Sequence, residues 1–564
     1  MLLVLVPLLP TLRATYVYDD TSIIRDNVAL RGWGALLHVW DQPYWPSDTG
    51  VDALGLFRPL HIALLSTVWN LGGGSPRWFH VYALLLAIIT TLVVWQMLGR
   101  AVGVTAAFAA AAWFATHPLH VEAIASVANT SELLVLLWTV ALARVLAAPR
   151  DAAASHVAEW RRAALIGALA AAALLSKESG LLAVPIAALT AWGWRTDTVR
   201  DPSLGQFLRA NMRAWAATGV GVAGVVLLRS VALGAPVARA SIAAQGLDAL
   251  STAARVRAML SVWPRIAEML VWPTALSPYY GPTIFPADGV ARAVASALMV
   301  TALLGLAVAI AKRGDRRPLV AVAWVGLTYF PASNLAAATG QILSDRTLFG
   351  ATVGVTIALA WGVNRLPRVL RTAALVVCAA AIGRDMFVTT RYAVAWTSHR
   401  TLWTRMLESA PDEHLGYKLL GIDARTHGDT SRALALLGRA FQMAPTDRQI
   451  RFEYGQVLYQ TGRYAAAATT LAPLIREGDA LSEREFVALY LDAVGRSQGP
   501  TAVVGAATPL LHSQSASLAA LYLGIAHEQL GQATSADSAY SLGLRRSPRD
   551  TLLAARRAAV RARQ

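Results

Sequence analysis

The sequence predicts an all-α protein in two parts, a polytopic membrane helix bundle followed by an α-solenoid. The 564 residues are 55% hydrophobic and only 15% charged, with a mean hydropathy of +0.46, and a soluble chain cannot bury that much apolar surface. After about residue 390 the long apolar runs stop, and an alanine-rich segment with helical periodicity follows. We therefore place a membrane domain at 1–390 and a solenoid at 391–564. Cys378 is the only cysteine, which excludes a disulfide-stapled scaffold.

Apolar segments suggest about eleven membrane spans, with a long first outer loop at residues 14–78. The segments lie near residues 1–12, 79–98, 103–117, 124–147, 163–176, 179–194, 214–232, 290–311, 318–332, 347–363 and 369–388. The first segment is too short to cross a bilayer, so we expect that the chain starts upstream or that the span continues past Arg13.

The fifth and sixth segments are close together and could be mistaken for one helix. A single helix over residues 163–194 would be about 48 Å long, at about 1.5 Å per residue, against a hydrocarbon core of about 30 Å. We therefore expect two short helices with Lys177 and Glu178 at the outer bend.

The distribution of basic residues favours one orientation in the membrane. If the N-terminus is cytoplasmic, the inner connections carry Arg100; Arg150, Arg161 and Arg162; Arg195 to Arg213; Lys312, Arg313, Arg316 and Arg317; and Arg365 to Arg371. This pattern follows the positive-inside rule and explains the net charge of +16 without a nucleic-acid partner. Only three of the 50 basic residues are lysine, a bias typical of GC-rich bacterial coding. We expect a multi-pass protein of a bacterial inner membrane whose C-terminal domain faces the periplasm.

The C-terminal part contains a repeat of 34 residues. The repeated pairs are Pro411 and Pro445, Gly421 and Gly455, Gly428 and Gly462, and Ala433 and Ala467. This is the tetratricopeptide (TPR) period. Gly524 follows Gly455 by 69 residues, so we expect a degenerate repeat between them and about four helix pairs in 413–560. Such arrays usually bind protein or peptide, and the alternative is a packing or oligomerisation platform.

Two adjacent carboxylates, Asp19 and Asp20, stand directly beside the first apolar segment. Ionisable groups at a membrane edge are costly and usually functional. Either carboxylate could deprotonate an acceptor hydroxyl, or the two could hold a divalent cation against a phosphate. The alternative is a solvated loop start. We prefer Asp20 slightly as the base because it lies further from the apolar segment.

Other polar groups lie at the outer ends of several spans, which predicts a shared water-filled cavity. Three cations could grip a phosphate, namely Arg58, Lys177 and Arg346; the last two could instead pair with Glu178 and Asp345. The candidates for a substrate pocket are His117, His120, Glu122, Glu178, Asn334 and Asp345. A metal site at the two histidines is disfavoured, because Pro118 breaks the turn and their spacing is not i, i+4.

Seven short motifs occur in order along the chain. They are Tyr18-Asp19-Asp20, Phe57-Arg58-Pro59-Leu60, Phe79-His80, His117 to Ala123, Ser176-Lys177-Glu178, Pro331 to Leu335, and Asp345 to Leu348. Together with the repeats they resemble the transmembrane and tetratricopeptide-repeat-containing family of O-mannosyltransferases, a branch of the C-type (GT-C) glycosyltransferases. The chain departs from that family at Ala128 to Glu132, where the family usually carries Gly-Arg-Ala-Asp.

The resemblance implies a GT-C-like membrane domain that transfers a sugar with inversion. The expected donor is a polyprenyl-phosphate sugar with mannose as the sugar, and the expected acceptor is a protein hydroxyl on the outer face, with Asp19 or Asp20 as base. The expected partners are the bilayer, this donor, and an acceptor protein held by the solenoid. Three alternatives stay open: a GT-C transferase acting on a lipid-linked glycan, an O-antigen-ligase-like or polymerase-like enzyme, and a non-catalytic TPR membrane scaffold.

Overall fold

The computed structural model describes residues 1–46, 55–149, 155–194, 203–237, 243–244, 246–476 and 484–564. Over these ranges all regular secondary structure is helical. The chain divides into two compact units, Met1–Ala410 and Pro411–Gln564. Three of the basic residues assigned to inner connections, Arg150, Arg195 and Arg200, lie outside the described ranges.

The first unit is a bundle of α-helices joined by loops and short 3-10 turns. Its helices are α1 Leu2–Leu8, α2 Ala35–His38, α3 Pro59–Gly72, α4 Pro76–Gly99, α5 Val104–Thr116, α6 His120–Ala125, α7 Ser131–Ala147, α8 His156–Ser176, α9 Ala183–Gly193, α10 Leu204–Ala210, α11 Met212–Leu233, α12 Thr252–Val271, α13 Gly289–Lys312, α14 Arg317–Tyr329, α15 Phe349–Arg365, α16 Arg368–Ala395 and α17 His399–Ser409.

Six helical segments among the described residues are long and apolar enough to cross a membrane. They are Pro76–Gly99, Val127–Ala147, Met212–Leu233, Gly289–Lys312, Asp345–Arg365 and Arg368–Ala395. The prediction of an all-α polytopic membrane bundle is confirmed, whereas the number of spans stays a prediction. The compositional change near residue 390 falls inside α16, and the first unit continues to Ala410.

The chain bends sharply at Lys177, as the length argument predicts. Helix α8 ends at Ser176, and the 3-10 turn Glu178–Leu182 leads into α9. Gly180 makes this bend possible, because a Cβ there would lie only 2.1 Å from the backbone oxygen of Ala173. No larger residue fits against that carbonyl unless the turn moves away from α8.

Helices α8 and α11 pack closely side by side and run in the same direction. A Cβ on Gly167 would lie 2.5 Å from the backbone oxygen of Ala217, and one on Gly221 would lie 2.6 Å from the backbone oxygen of Gly167. Near the start of both helices, Arg213 pairs with Glu159. The C-termini of α8 and α11 therefore lie at the same end of the bundle, which we term the site end.

Helix α12 lies in a connection to which the sequence assigned no helix. It packs along α13, and both Arg255 and Arg265 lie on it. The Arg255 guanidinium donates to the backbone oxygen of Asn334 at 2.9 Å. This contact ties α12 to the loop that precedes α15, at the site end.

In its described residues, the second unit contains four helix pairs and a final helix. The pairs are α18 His414–Thr426 with α19 Thr430–Met443, α20 Arg448–Gln460 with α21 Tyr464–Arg476, α22 Arg484–Gln498 with α23 Pro500–Ala507, and α24 Ala516–Gln529 with α25 Ala533–Arg546; α26 is Thr551–Arg561. The final helix is capped by the Asp550 carboxylate, which accepts the N–H groups of Leu552 and Leu553.

The repeat glycines explain how the paired helices approach each other. A Cβ on Gly421 would lie 2.6 Å from Leu437, and one on Gly455 would lie 2.6 Å from Leu471. These two contacts are one 34-residue period apart, so both pairs use the same packing. The TPR-like character of this unit is confirmed by that equivalence.

Candidate active site

A strained backbone turn immediately precedes the two adjacent aspartates. Tyr18 has φ +55°, a left-handed conformation that is uncommon for a bulky residue. Its N–H donates to the Nε2 of His399 at 3.1 Å. The carboxylates of Asp19 and Asp20 lie in different surroundings, as the neighbours of each residue show.

Asp20 is fully buried, and its carboxylate accepts hydrogen bonds from other residues of the protein. It accepts hydrogen bonds from the backbone N–H of Ala128 at 2.7 Å, the N–H of Val127 at 3.0 Å and the Ser126 hydroxyl at 3.3 Å. Burial raises the pKa of Asp20 to about 7, although these hydrogen bonds lower it. Asp20 therefore fastens the first loop to the turn before α7, and these contacts do not support the preference for Asp20 as the base.

Asp19 is differently placed. Its side chain is 19% exposed and its Oδ2 lies 3.9 Å from the Nη1 of Arg346. Among the described residues no donor hydrogen-bonds its carboxylate. Burial raises the pKa of Asp19, and the positive charges of Arg346 and Arg58 offset part of that rise. Asp19 is thus a partly accessible carboxylate with free lone pairs beside a guanidinium.

Arg346 is held in place by Glu122, which the sequence placed in the substrate pocket. The Glu122 carboxylate accepts the Arg346 guanidinium at 2.7 Å, the Arg346 backbone N–H at 2.9 Å and the Ser344 hydroxyl at 3.1 Å. The second guanidinium nitrogen donates to Gln341. Glu122 is nearly fully buried, so it orients the arginine that faces Asp19.

Arg58 forms the second charged pair of the site. Its Nε donates to Glu178 Oε2 at 2.9 Å, and its guanidinium stacks over the Tyr44 ring with 4.5 Å between the guanidinium carbon and the ring centre. The other Glu178 oxygen accepts the backbone N–H of Phe57 at 3.1 Å. This ion pair joins the first loop to the bend after α8.

Lys177 forms the third pair, with Glu132 in the first turn of α7. Burial lowers the pKa of Lys177 even though Glu132 raises it. The structure thus brings together all three cations proposed to grip a phosphate. Their carboxylate partners differ from the expected alternatives, because Lys177 pairs with Glu132 rather than Glu178, and Arg346 pairs with Glu122 rather than Asp345.

Asp345 has no exposed surface and belongs to a tyrosine network. It accepts the hydroxyl of Tyr280 at 2.6 Å and that of Tyr392 at 2.9 Å. These bonds connect the start of α15 to the loop after α12 and to the end of α16. Asp345 therefore stabilises the structure around the site, since both of its carboxylate oxygens accept hydrogen bonds from tyrosine hydroxyls.

His117 and His120 are packing residues in this structure. His117 Nε2 lies 3.2 Å from the backbone oxygen of Leu270, and His120 Nε2 lies 2.9 Å from the Thr352 hydroxyl. The His120 ring lies between the rings of Phe114 and Phe349, with centroid distances of 4.5 and 4.6 Å. Both histidines are almost completely buried.

Asn334 stabilises its own loop. It is one of two non-glycine residues in the described ranges with a positive φ, at +57°. Its amide nitrogen donates to the backbone oxygens of Gln341 and Ile342, and its side-chain oxygen accepts the N–H of Thr339 at 2.7 Å. With these bonds made, the Asn334 amide holds the loop in its conformation.

The described residues contain no group of three or more histidine, cysteine, aspartate or glutamate side chains placed to hold a metal ion. Asp19 and Asp20 do not converge on one point, because Asp20 is directed at the turn Val127–Asn129. The expected alternative of a divalent cation held by both acids therefore has no support from this geometry.

Sequence reasoning missed several residues that shape the site. Tyr280 and Tyr392 lie 65 and 47 residues from their partner Asp345, and Glu132 lies 45 residues before its partner Lys177. The local sequence carries no signal for such long-range pairs. The sequence does show Glu132 as a polar group at the start of the fourth apolar segment, but not as the partner of Lys177.

Together these features define a class of protein: a multi-pass membrane bundle with a partly exposed carboxylate, Asp19, and three ion-paired cations at one end, followed by a TPR-like solenoid. The tetratricopeptide repeat family model matches residues 424–483. The chain is thus a membrane protein that also contains tetratricopeptide-type repeats, and repeats of this type commonly bind proteins.

Comparison with curated proteins identifies the relatives. The chain is 32% identical to protein O-mannosyl-transferase Tmtc2 of Drosophila melanogaster over 185 residues, which are 32% of this chain and 20% of that protein. It is 28% identical to a protein O-mannosyl-transferase of Caenorhabditis elegans over 189 residues, covering 32% and 26%. Protein O-mannosyl-transferase TMTC3 of Mus musculus is 22% identical over 499 residues, covering 83% and 54%.

The resemblance stated from the motifs is therefore confirmed: the relatives of this chain are TMTC-family protein O-mannosyl-transferases. The chain spans only 20% and 26% of the length of the first two relatives. One solved structure, the APC/C hetero-tetramer Cut9-Hcn1, covers 96% of this chain and 99% of its own at 14% identity, with a TM-score of 0.25. At that score the likeness says nothing about this fold.

Proposed function

We propose that this protein is a membrane glycosyltransferase of the GT-C type. It moves a sugar from a polyprenyl phosphate to a hydroxyl group of a protein, on the extracytoplasmic face. The names of its relatives support protein O-mannosylation and mannose as the sugar. The observation that carries the proposal is Asp19, a partly exposed carboxylate 3.9 Å from the Arg346 guanidinium.

Asp19 acts as the general base. The acceptor oxygen attacks the anomeric carbon, the bond from that carbon to the phosphate oxygen breaks, and the hydroxyl proton passes to Asp19. The products are the glycosylated protein and the lipid phosphate. In-line attack inverts the anomeric centre, and the activated phosphate ester supplies the leaving group without a nucleotide.

The leaving phosphate gains negative charge as the bond breaks. Arg58, Lys177 and Arg346 lie at the same end of the bundle and are held there by Glu178, Glu132 and Glu122. Cations fixed in advance stabilise developing charge without reorganisation. Arg346 is the cation closest to the base and is the first candidate to stabilise the departing oxygen.

The distribution of basic residues supports an outer position for the site end. The residues Arg100, Lys312, Arg316 and Arg365 lie at helix ends far from the site end, as the positive-inside rule requires for a cytoplasmic face. In a bacterium the site then faces the periplasm. The TPR-like unit supplies the surface that holds the acceptor protein.

The direct test uses the purified full chain in detergent, polyprenyl-phosphate mannose labelled in the sugar, and periplasmic protein as acceptor. We expect label on serine or threonine and release of unlabelled polyprenyl phosphate in equal amount. Asp26→Asn is the matched control for Asp19→Asn, because Asp26 is an aspartate that is exposed and paired with Arg25. Label that appears only on lipid-linked glycan contradicts the protein acceptor, and folded protein that consumes no polyprenyl-linked sugar contradicts the enzyme.

A further inference from the structure

Arg229 is a buried arginine at the site end. It lies in none of the sequence motifs and has no role in the proposed mechanism. It lies near the C-terminus of α11 and is only 8% exposed. Its Nε has no hydrogen-bond partner, and among the described residues no carboxylate lies within ion-pair distance. A guanidinium withdrawn from water without an ion-pair partner is energetically costly.

The packing of α8 and α11 places Arg229 close to the level of the other cations. These parallel helices touch at Gly167 and Gly221. At about 1.5 Å per residue, Arg229 lies about 12 Å beyond this contact and Lys177 about 15 Å beyond it. The two basic residues are therefore within one helical turn of the same depth.

Two further observations direct Arg229 towards the site. Its charge interacts with that of Glu178, the partner of Arg58. Its Nη2 also reaches the first loop, because a Cβ built on Gly55 would lie 3.3 Å from it. Arg229 thus lies beside the stretch of chain that carries Arg58.

The opposite surface of α11 is open to the surroundings of the bundle. Val220, Leu227 and Val231 are among the most exposed large apolar residues, as expected of a helix that faces lipid acyl chains. Arg229 therefore lies between the lipid-facing surface and the ion pairs of the site. A lipid-linked substrate that enters sideways from the bilayer passes this position.

We propose that Arg229 binds the phosphate of the lipid-linked donor and so guides the donor from the bilayer into the site. The inference rests on the proposed function for the identity of the donor. Arg58, Lys177 and Arg346 each have a carboxylate partner, whereas Arg229 has its charge available. A phosphate accepts two parallel N–H bonds from one guanidinium, which supplies the missing counter-charge.

The test measures binding and turnover separately, with the full chain in lipid nanodiscs. Binding of radiolabelled polyprenyl phosphate and of the phosphate-free polyprenol is compared for the wild type, Arg229→Ala and Arg229→Lys. Arg292→Ala is the matched control, because Arg292 lies near one end of another candidate span, is exposed and is paired with Asp288. Thermal unfolding reports whether each variant is folded.

We expect Arg229→Ala to weaken binding of polyprenyl phosphate at least tenfold and Arg229→Lys to weaken it less, with polyprenol binding unchanged. In transfer assays the KM for the donor rises while kcat changes little. Equal affinity of the wild type and a folded Arg229→Ala for polyprenyl phosphate overturns the inference, as does a wild type that does not prefer the phosphate over polyprenol. Binding that behaves as expected in a protein that transfers no sugar overturns the proposed function and leaves this inference standing.

Discussion

At the scale of single residues, two neighbouring acids of the site, Asp19 and Asp20, differ in the hydrogen bonds that their carboxylates accept. Asp20 receives two backbone N–H groups and a hydroxyl, whereas Asp19 keeps its carboxylate free beside Arg346. The sequence could identify the pair but could not rank its members. The ranking depends on contacts with residues more than 100 positions away.

Asp20→Asn is expected to destabilise the folded protein by about 1–3 kcal/mol, the usual cost of leaving buried donors unsatisfied. In the wild type the folded-state pKa is about 7 against an ordinary value of 3.8. Between these values the folded state holds a proton that the unfolded state has lost, so this group makes stability fall as pH rises. Thermal unfolding at pH 5 and pH 7 should show a smaller pH effect in the variant. An identical pH effect in both proteins would argue against the raised pKa.

Arg346→Gln is expected to move the acid limb of the kcat/KM profile to higher pH. The Arg346 charge lowers the pKa of Asp19, so its removal lets burial raise that pKa further. Arg346→Lys keeps the charge and serves as the control. The measurement is the transfer rate across the pH range for all three proteins. A limb that stays in place or moves to lower pH contradicts the coupling of Asp19 to Arg346.

At the scale of secondary-structure elements, the site depends on helix ends that meet at one level. The length argument predicts the bend at Lys177, because a single helix would be too long for the bilayer. The 34-residue period predicts the helix pairs of the second unit, since equivalent glycines meet equivalent leucines. Helix α12 and the tyrosine contacts to Asp345 escape prediction, because they depend on tertiary packing that periodicity does not encode.

Gly180→Ala is expected to reduce transfer at least tenfold. The new Cβ would lie 2.1 Å from a backbone oxygen, so the turn must shift and carry Lys177 and Glu178 away from their partners. Gly383→Ala is the matched control, because Gly383 is a helical glycine of α16 with open space around it. Transfer rates and thermal unfolding are compared for both. A folded Gly180→Ala protein with normal activity would show that the bend does not position the site.

At the scale of the whole molecule, charge and hydropathy decide the architecture before any motif is considered. Composition alone predicts a membrane bundle, and the repeat predicts the solenoid, because both depend on averages over many residues. The pairing of cations with carboxylates cannot be predicted in this way. Lys177 and Glu132 meet only because the start of α7 and the end of α8 lie at the same level.

The topology predicts opposite labelling of two positions. In a Cys378→Ala background, Trp33→Cys in the first loop should react with a membrane-impermeant maleimide in intact cells, because Trp33 is exposed at the site end. Arg313→Cys, in the connection after α13, should react only after lysis. The reverse pattern would place the site end in the cytoplasm and exclude an extracytoplasmic reaction.

The central claim is that Asp19, not Asp20, is the base of a sugar transfer. The decisive measurement is the rate of transfer from polyprenyl-phosphate mannose to protein by Asp19→Asn and Asp20→Asn, normalised to the folded fraction of each. We expect Asp19→Asn to lose at least a hundredfold in rate while keeping the thermal stability of the wild type, in line with the usual contribution of general base catalysis, about 10²–10⁴-fold. We expect folded Asp20→Asn to retain most of its activity. An Asp19→Asn protein that transfers sugar at the wild-type rate would contradict the account.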